Sequence, residues 1–247
     1  MADPRPVESK GPGDRPGAPG TKPADAERQA KFIVARFEQW ALPRLAARLP
    51  KWVLPDHLTG LGIVAATGIM ICYMLSNDDP LWLWGANLGL VLHWFGDSLD
   101  GTLARVRKIQ RPRYGFYLDH LTDAYSTTVL GLGLGFSPYM LLAVALAGVA
   151  AYLVLSINVY LETYIFGVFR YGYGVLGPTE ARILLIVLNI LALFVSPLPF
   201  TIGKLTMTAF DIGGIAVCAL MFGLLLRRAL RNLGELAKLE PPNVVKE

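Results

Sequence analysis

The sequence predicts an all-α integral membrane protein, with six transmembrane helices preceded by an amphipathic helix in the membrane interface. Three observations lead there. The 247 residues are 53% hydrophobic and only 17% charged, where soluble domains carry roughly 25% charged residues, and the mean hydropathy is +0.44. Apolar runs of about 20 residues, the length a bilayer requires, recur six times along the chain. The Lys and Arg residues, which leave a net charge of +4, gather at alternate breaks between those runs. An ordinary soluble enzyme is excluded on these grounds, and no nucleic-acid partner is expected. Cys72 and Cys218 stand alone in apolar stretches and offer neither a disulfide framework nor a thiolate metal site. His57, His93 and His120 are too few for a histidine-rich zinc centre.

Residues 1–23 hold six prolines and four glycines among charges and small side chains. They cannot bury enough apolar surface to offset chain entropy and are expected to be disordered. No apolar run follows the start, so no cleavable signal peptide is expected. Over 24–50 the pattern turns helical: Ile33, Phe37, Trp40 and Ala41 share a face, basic and acidic residues fill the rest, and Pro43 should kink it. Such a helix suits the membrane interface; packing on another part of the protein is the alternative.

Six spans follow near 57–76, 81–107, 115–136, 138–166, 179–196 and 207–231, within a domain of 51–232. Turn and breaker residues separate them at Asn77-Asp78-Asp79-Pro80, Arg111-Pro112-Arg113, Ser137-Pro138, Gly177-Pro178 and Ser196-Pro197-Leu198-Pro199. Lys and Arg crowd before the first span, after the second and after the last, while the opposite loops hold only Lys204. The positive-inside rule places both termini, including the tail 233–247, in the cytoplasm. Trp82, Trp84 and Trp94 include belt aromatics, Asp211 reads as interfacial, and His93 and Asn189 read as interhelical hydrogen-bond partners.

The second and third spans contain Asp97, Asp100, Asp119 and Asp123. A charged aspartate at a helix centre costs about 2.5–3.5 kcal/mol on insertion scales, so intramembrane acids are candidates for function. Spacings of three and four put each pair on one helical face. The two spans form a hairpin broken near Pro112. Asp100 lies roughly 15 Å along from that break and Asp123 a similar distance along the returning helix, so the four meet at one depth, inset from the cytoplasmic surface. An all-carboxylate, hard-oxygen set points to Mg²⁺, Mn²⁺ or Ca²⁺ rather than zinc. Two divalent ions would balance four charges and could clamp a diphosphate. Gly101, Ala104 and Gly115 leave room for a nucleotide, and Arg105 supplies a cation for phosphate. The alternative is a set of interhelical hydrogen bonds with a salt bridge to Arg105.

The run Asp97-Ser98-Leu99-Asp100-Gly101-Thr102-Leu103-Ala104-Arg105, followed by Gly115-Phe116-Tyr117-Leu118-Asp119-His120-Leu121-Thr122-Asp123, resembles the signature of the CDP-alcohol phosphotransferases. That signature reads D-x2-D-G-x2-A-R-x8/9-G-x3-D-x3-D, and this chain has nine residues in the variable gap. The likeness covers about 55–232. It implies that an alcohol attacks the β-phosphorus of a CDP-linked donor and releases CMP. The four aspartates would hold two divalent metals, Mg²⁺ or Mn²⁺, while the region of Gly101, Ala104, Arg105 and Gly115 lies on the nucleotide side. A homodimer in contact with membrane lipids is also implied.

Two features resemble the branch that joins CDP-choline or CDP-ethanolamine to diacylglycerol. His120 directly follows Asp119, and the stretch Glu162-Thr163-Tyr164-Ile165-Phe166-Gly167-Val168-Phe169-Arg170-Tyr171-Gly172 is followed by Gly177-Pro178-Thr179-Glu180. The resemblance implies a His120–Glu180 pair that takes the proton of the lipid hydroxyl. Two alternatives stay open: Asp123 as the base, and Glu180 as an acid complementing the start of its helix. Arg170 and Arg182 either bind a phosphate or mark the inner boundary. The competing donor is CDP-diacylglycerol, with serine, glycerol phosphate or inositol phosphate as acceptor. An intramembrane prenyltransferase and a cation-coupled transporter are the readings outside the family.

Overall fold

The computed structural model describes residues 34–166, 177–194, 200–203 and 205–241. The stretch 1–23, the first part of the 24–50 segment and Arg170 lie outside them. Among the described residues the elements are α1 (Ala35–Arg48), α2 (Pro55–Leu75), α3 (Trp82–Val106), α4 (Pro112–Gly135), α5 (Leu142–Phe166), α6 (Pro178–Phe194), β1 (Phe200–Ile202), β2 (Leu205–Met207) and α7 (Ala209–Leu239). Three of the helices, α2, α5 and α7, are long and apolar enough to cross a membrane.

Pro55, Pro112 and Pro178 each open a helix, where a missing N–H costs nothing because the first turn has no acceptor for it. Pro112 therefore begins α4 three residues earlier than the 115 start expected from the sequence. At the other end, α7 runs on to Leu239 beyond the expected limit of 231. Its polar last turns are rich in Leu, Arg, Glu, Lys and Ala, all good helix formers, so polarity ends the apolar segment without ending the helix. The β1–β2 hairpin was not expected: its strands pair antiparallel, with Phe200 opposite Met207, and Gly203 supplies the left-handed turn residue at φ 63.

Helix α2 packs against both α3 and α4; α4 continues onto α5, and α5 onto α7, while α3 carries α6 and α1. Lipid offers no hydrophobic drive to bring helices together, so close backbone approach matters more. A side chain at Gly96 of α3 would put a Cβ 2.5 Å from the Leu58 carbonyl oxygen and 2.8 Å from the Gly62 nitrogen of α2. On α4, a Cβ at Gly133 would stand 2.7 Å from Met70 Cα. These two contacts seat α3 and α4 closely on α2. Ile69, Tyr73, Leu83 and Leu90 fill one core, and Ala46, Val53, Leu58, Leu99 and Leu103 another.

The second core includes α1, which buries Ala41 and Ala46 against the bundle and turns Phe37 and Trp40 away, 55% and 58% exposed. The face expected from the sequence thus divides: small residues pack on protein and aromatics point out. Arg107, just past α3, pins the α1–α2 connection. Its guanidinium donates to the carbonyls of Leu49 (2.9 Å), Pro50 (2.8 Å), Lys51 (3.3 Å) and Val53, all in the connection between the two helices.

Asp211, expected at the interface, is 1% exposed and does a capping job. One oxygen accepts from the Thr208 N–H at 2.8 Å, ahead of α7, and the other from the Leu141 N–H at 2.7 Å, ahead of α5. Asp211→Ala should cost about 2–3 kcal/mol, a lost cap plus a buried N–H left unpaired. An unchanged denaturation midpoint in detergent would remove that role.

Candidate active site

The acids sit where α2, α3 and α4 come together. A small cleft is lined by Thr59, Gly62 and Ile63 of α2, by His93, Asp97 and Asp100 of α3, and by Thr122, Asp123 and Ser126 of α4. The Gly96–Gly62 approach draws α2 close enough for the Thr59 hydroxyl to donate to Asp100 Oδ2 at 2.7 Å. The Gly101 N–H donates to Asp100 Oδ1 at 2.5 Å. Asp97 Oδ2 accepts from Arg182 Nη2 of α6 at 2.6 Å. Asp123 has no hydrogen-bond partner among the described residues, and it feels the charges of Asp97, Asp119 and Asp100 as well as Arg182. Asp119 does not line the cleft, but its charge also reaches Asp100. The structure therefore brings Asp97, Asp100 and Asp123 to one cleft, with Asp119 on its electrostatic border.

Among the described residues no three His, Cys, Asp or Glu side chains close around a single point as a metal cage. The donor set still fits a hard divalent cation. Among the described residues Asp123 in the cleft has no donor and Asp97 Oδ1 has no hydrogen-bond partner while Oδ2 is engaged, and apart from the His93 ring the polar side chains around them are carboxylates and hydroxyls. Unpartnered carboxylates in a space of this kind need a cation or protons.

The nucleotide-side residues expected from the sequence lie along α3 and the start of α4. Arg105 Nη2 donates to Thr102 at 2.9 Å, and Arg105 Nη1 would stand 3.4 Å from a Cβ placed on Gly101. Around Gly115 a Cβ would meet nothing within 4 Å, so packing does not demand glycine there. Ala104 is half-buried on α3.

His120 lies between aromatic rings, its centroid 4.0 Å from Phe116 and 4.7 Å from Tyr160. Its Nδ1 is 2.7 Å from the Phe116 carbonyl oxygen, which only accepts, so Nδ1 carries the hydrogen and Nε2 is the basic nitrogen in the neutral ring. Asp119 Oδ2 stands 3.9 Å from Nδ1. Glu180 is occupied elsewhere: one oxygen accepts from the Gly177 N–H at the start of α6 and the other from the Val34 N–H ahead of α1, each at 3.0 Å. No hydrogen bond or ion pair joins His120 to Glu180 among the described residues. The capping alternative describes the Glu180 geometry, because a carboxylate three residues past the cap satisfies an otherwise unpaired N–H.

Arg182 points into the protein. Its side chain is 11% exposed and its Nε donates to His93 Nδ1 at 3.1 Å. His93 and Asn189 make interhelical bonds, as expected. Asn189 donates to Asn87 at 2.8 Å and accepts from the Tyr73 hydroxyl at 3.0 Å. Sequence reasoning missed Thr59, Thr122 and Ser126 in the cleft and Tyr160 against His120. Hydroxyls and a tyrosine in apolar helices carry no spacing signal until the facing helix is known.

Oxygen-rich, acid-lined clefts among membrane-length helices are suited to hard cations and phosphate-bearing ligands. The family model for CDP-alcohol phosphatidyltransferase matches residues 52–226, which include all four aspartates, and the chain belongs to that family. Its members are transferases of phosphate-containing groups in phospholipid synthesis, and this chain is a membrane protein. The chain is similar to Cholinephosphotransferase 1 of Danio rerio, 28% identical over 162 residues that cover 61% of this chain and 41% of the relative. It is also similar to "Uncharacterized CDP-alcohol phosphatidyltransferase class-I family protein 2" of Dictyostelium discoideum, 26% identical over 185 residues, 68% of this chain and 44% of the relative. The matches span less than half the length of either relative.

Proposed function

We propose that this protein transfers a phosphoalcohol from a CDP-linked donor to a second alcohol. The acceptor oxygen attacks the β-phosphorus, a new P–O bond forms, the bond to the bridging oxygen breaks, and CMP leaves with it. The observation behind this reading is the aspartate cleft, with Asp123 unpartnered inside it, in a chain of this family. CDP-choline or CDP-ethanolamine with diacylglycerol is the favoured substrate pair, supported by the similarity to a cholinephosphotransferase. Asp97, Asp100, Asp119 and Asp123 would hold Mg²⁺ or Mn²⁺, two ions in all, which supply charge balance and polarise the phosphoryl oxygens. Gly101, Ala104, Arg105 and Gly115 form the cytidine-nucleotide side, and Arg170 remains a candidate phosphate ligand.

His120 accepts the proton of the attacking hydroxyl at Nε2, its ring oriented by the Phe116 carbonyl and gripped by Phe116 and Tyr160. Glu180 contributes by fixing the start of α6. All six helices α2 to α7 span the membrane with both termini and the cleft on the cytoplasmic side, and α1 presents Phe37 and Trp40 to the headgroups. The working unit is a homodimer.

The test is metal-dependent CMP release in lipid vesicles, with the product lipid identified by mass. One arm holds CDP-choline and CDP-ethanolamine with diacylglycerol; the other holds CDP-diacylglycerol with serine, glycerol phosphate and inositol phosphate. Turnover in the first arm alone supports the favoured pair, and turnover in the second alone moves the donor to CDP-diacylglycerol. Silence in both overturns the proposal. His120→Ala is expected to lower the rate of CMP release by about 10²–10⁴-fold. A small loss would move the base to Asp123.

A further inference from the structure

Arg182 reaches the acid cleft from α6 and touches two residues of α3 one helical turn apart, His93 and Asp97. Its Nη2 donates to Asp97 Oδ2 at 2.6 Å and its Nε to His93 Nδ1 at 3.1 Å. The guanidinium is planar, so fixing two of its nitrogens fixes the plane, which a lysine ammonium in the same place would not do. The side chain is also too enclosed to wander, at 11% exposure. Because Nε–H is a donor, His93 Nδ1 must be the bare nitrogen of a neutral ring, with the ring hydrogen on Nε2. His93 is therefore a fixed neutral strut and not a competing cation.

We propose that Arg182, braced by His93, is a positioning residue that holds Asp97 with Oδ2 engaged and Oδ1 presented to the cleft for a divalent cation. This rests on the reading of Asp97 as a cation ligand and adds residues of a different helix to it. Partners behind a metal ligand set its orientation, and their loss commonly weakens affinity by about 10–100-fold. A purely electrostatic role predicts the opposite sign: a nearby positive charge repels the incoming cation, so removing it would tighten binding.

The experiment is Mn²⁺ titration of the purified full chain in detergent, reading free Mn²⁺ by electron paramagnetic resonance, with thermal midpoints recorded in chelator. Arg182→Ala should weaken Mn²⁺ binding by about tenfold. His93→Ala, a milder change that spares the ion pair, should weaken it by a few-fold. Arg182→Lys should fall between wild type and Arg182→Ala. In an Asp97→Asn background Arg182→Ala should add no further loss, because Arg182 acts through Asp97. Affinity that is unchanged or tighter in both Arg182→Ala and His93→Ala, beside a lowered midpoint, would leave Arg182 as a helix tie and overturn the proposal alone. Wild-type protein that binds no Mn²⁺ would overturn both the proposal and the assignment of Asp97 beneath it.

Discussion

Asp100→Asn and Asp123→Asn should each lower CMP release by about a thousandfold while the protein stays folded and membrane-inserted. Each change keeps shape and one acceptor oxygen but removes a charge. Asp100→Asn can keep its one acceptor oxygen on the Gly101 N–H and donate its amide N–H to the Thr59 hydroxyl, which reverses its role, so local structure should survive. Asp123 has no hydrogen-bond partner to lose among the described residues. What disappears in both is a hard anionic donor for a divalent cation. Cation stabilisation of a transferring phosphoryl group is worth several kcal/mol, and about 4 kcal/mol corresponds to the thousandfold loss. The check is initial CMP release at saturating Mg²⁺, beside gel filtration and the denaturation midpoint. Near-wild-type turnover by either variant would remove that aspartate from the machinery.

The largest effect on stability is expected at Glu162. This carboxylate of α5 is 5% exposed and pairs with Arg228 of α7, while also accepting from Asn158 at 2.8 Å and Asn232 at 2.5 Å. Glu162→Ala takes the α5 carboxylate away from a guanidinium that is itself only 17% exposed. Breaking one side of a buried pair typically costs about 3–5 kcal/mol, because the remaining charge loses its partner but not its desolvation. A double variant, Glu162→Met with Arg228→Met, should recover much of that loss. Denaturant titration in mixed micelles would read both. A single variant as stable as wild type would mean that the pair contributes no net stability.

The helix pattern was legible because lipid imposes a strong rule: backbone groups must be paired within the segment, and about 20 apolar residues are needed. Expected limits of 81–107 and 138–166 therefore fall close to Trp82–Val106 and Leu142–Phe166. Ends governed by capping or propensity were less legible, at Pro112 and at the long tail of α7. The hairpin around Gly203 was hidden because three-residue strands between breakers carry too little alternation to register.

The sequence by itself determined that the four aspartates fall in two pairs at helical spacing along consecutive helices, since spacings of three and four put each pair on one face. It could not decide which helix faces those two. Periodicity shows which residues share a face, and not what that face meets. Only the tertiary structure brought Thr59 to Asp100 through the Gly62–Gly96 approach, turned Glu180 toward the backbone at Gly177 and Val34, and gave Arg182 its partners Asp97 and His93. Apart from the Gly177–Glu180 bond, which is local, those contacts join residues about 35 to 150 positions apart, and side-chain reach across a packed interface sets them.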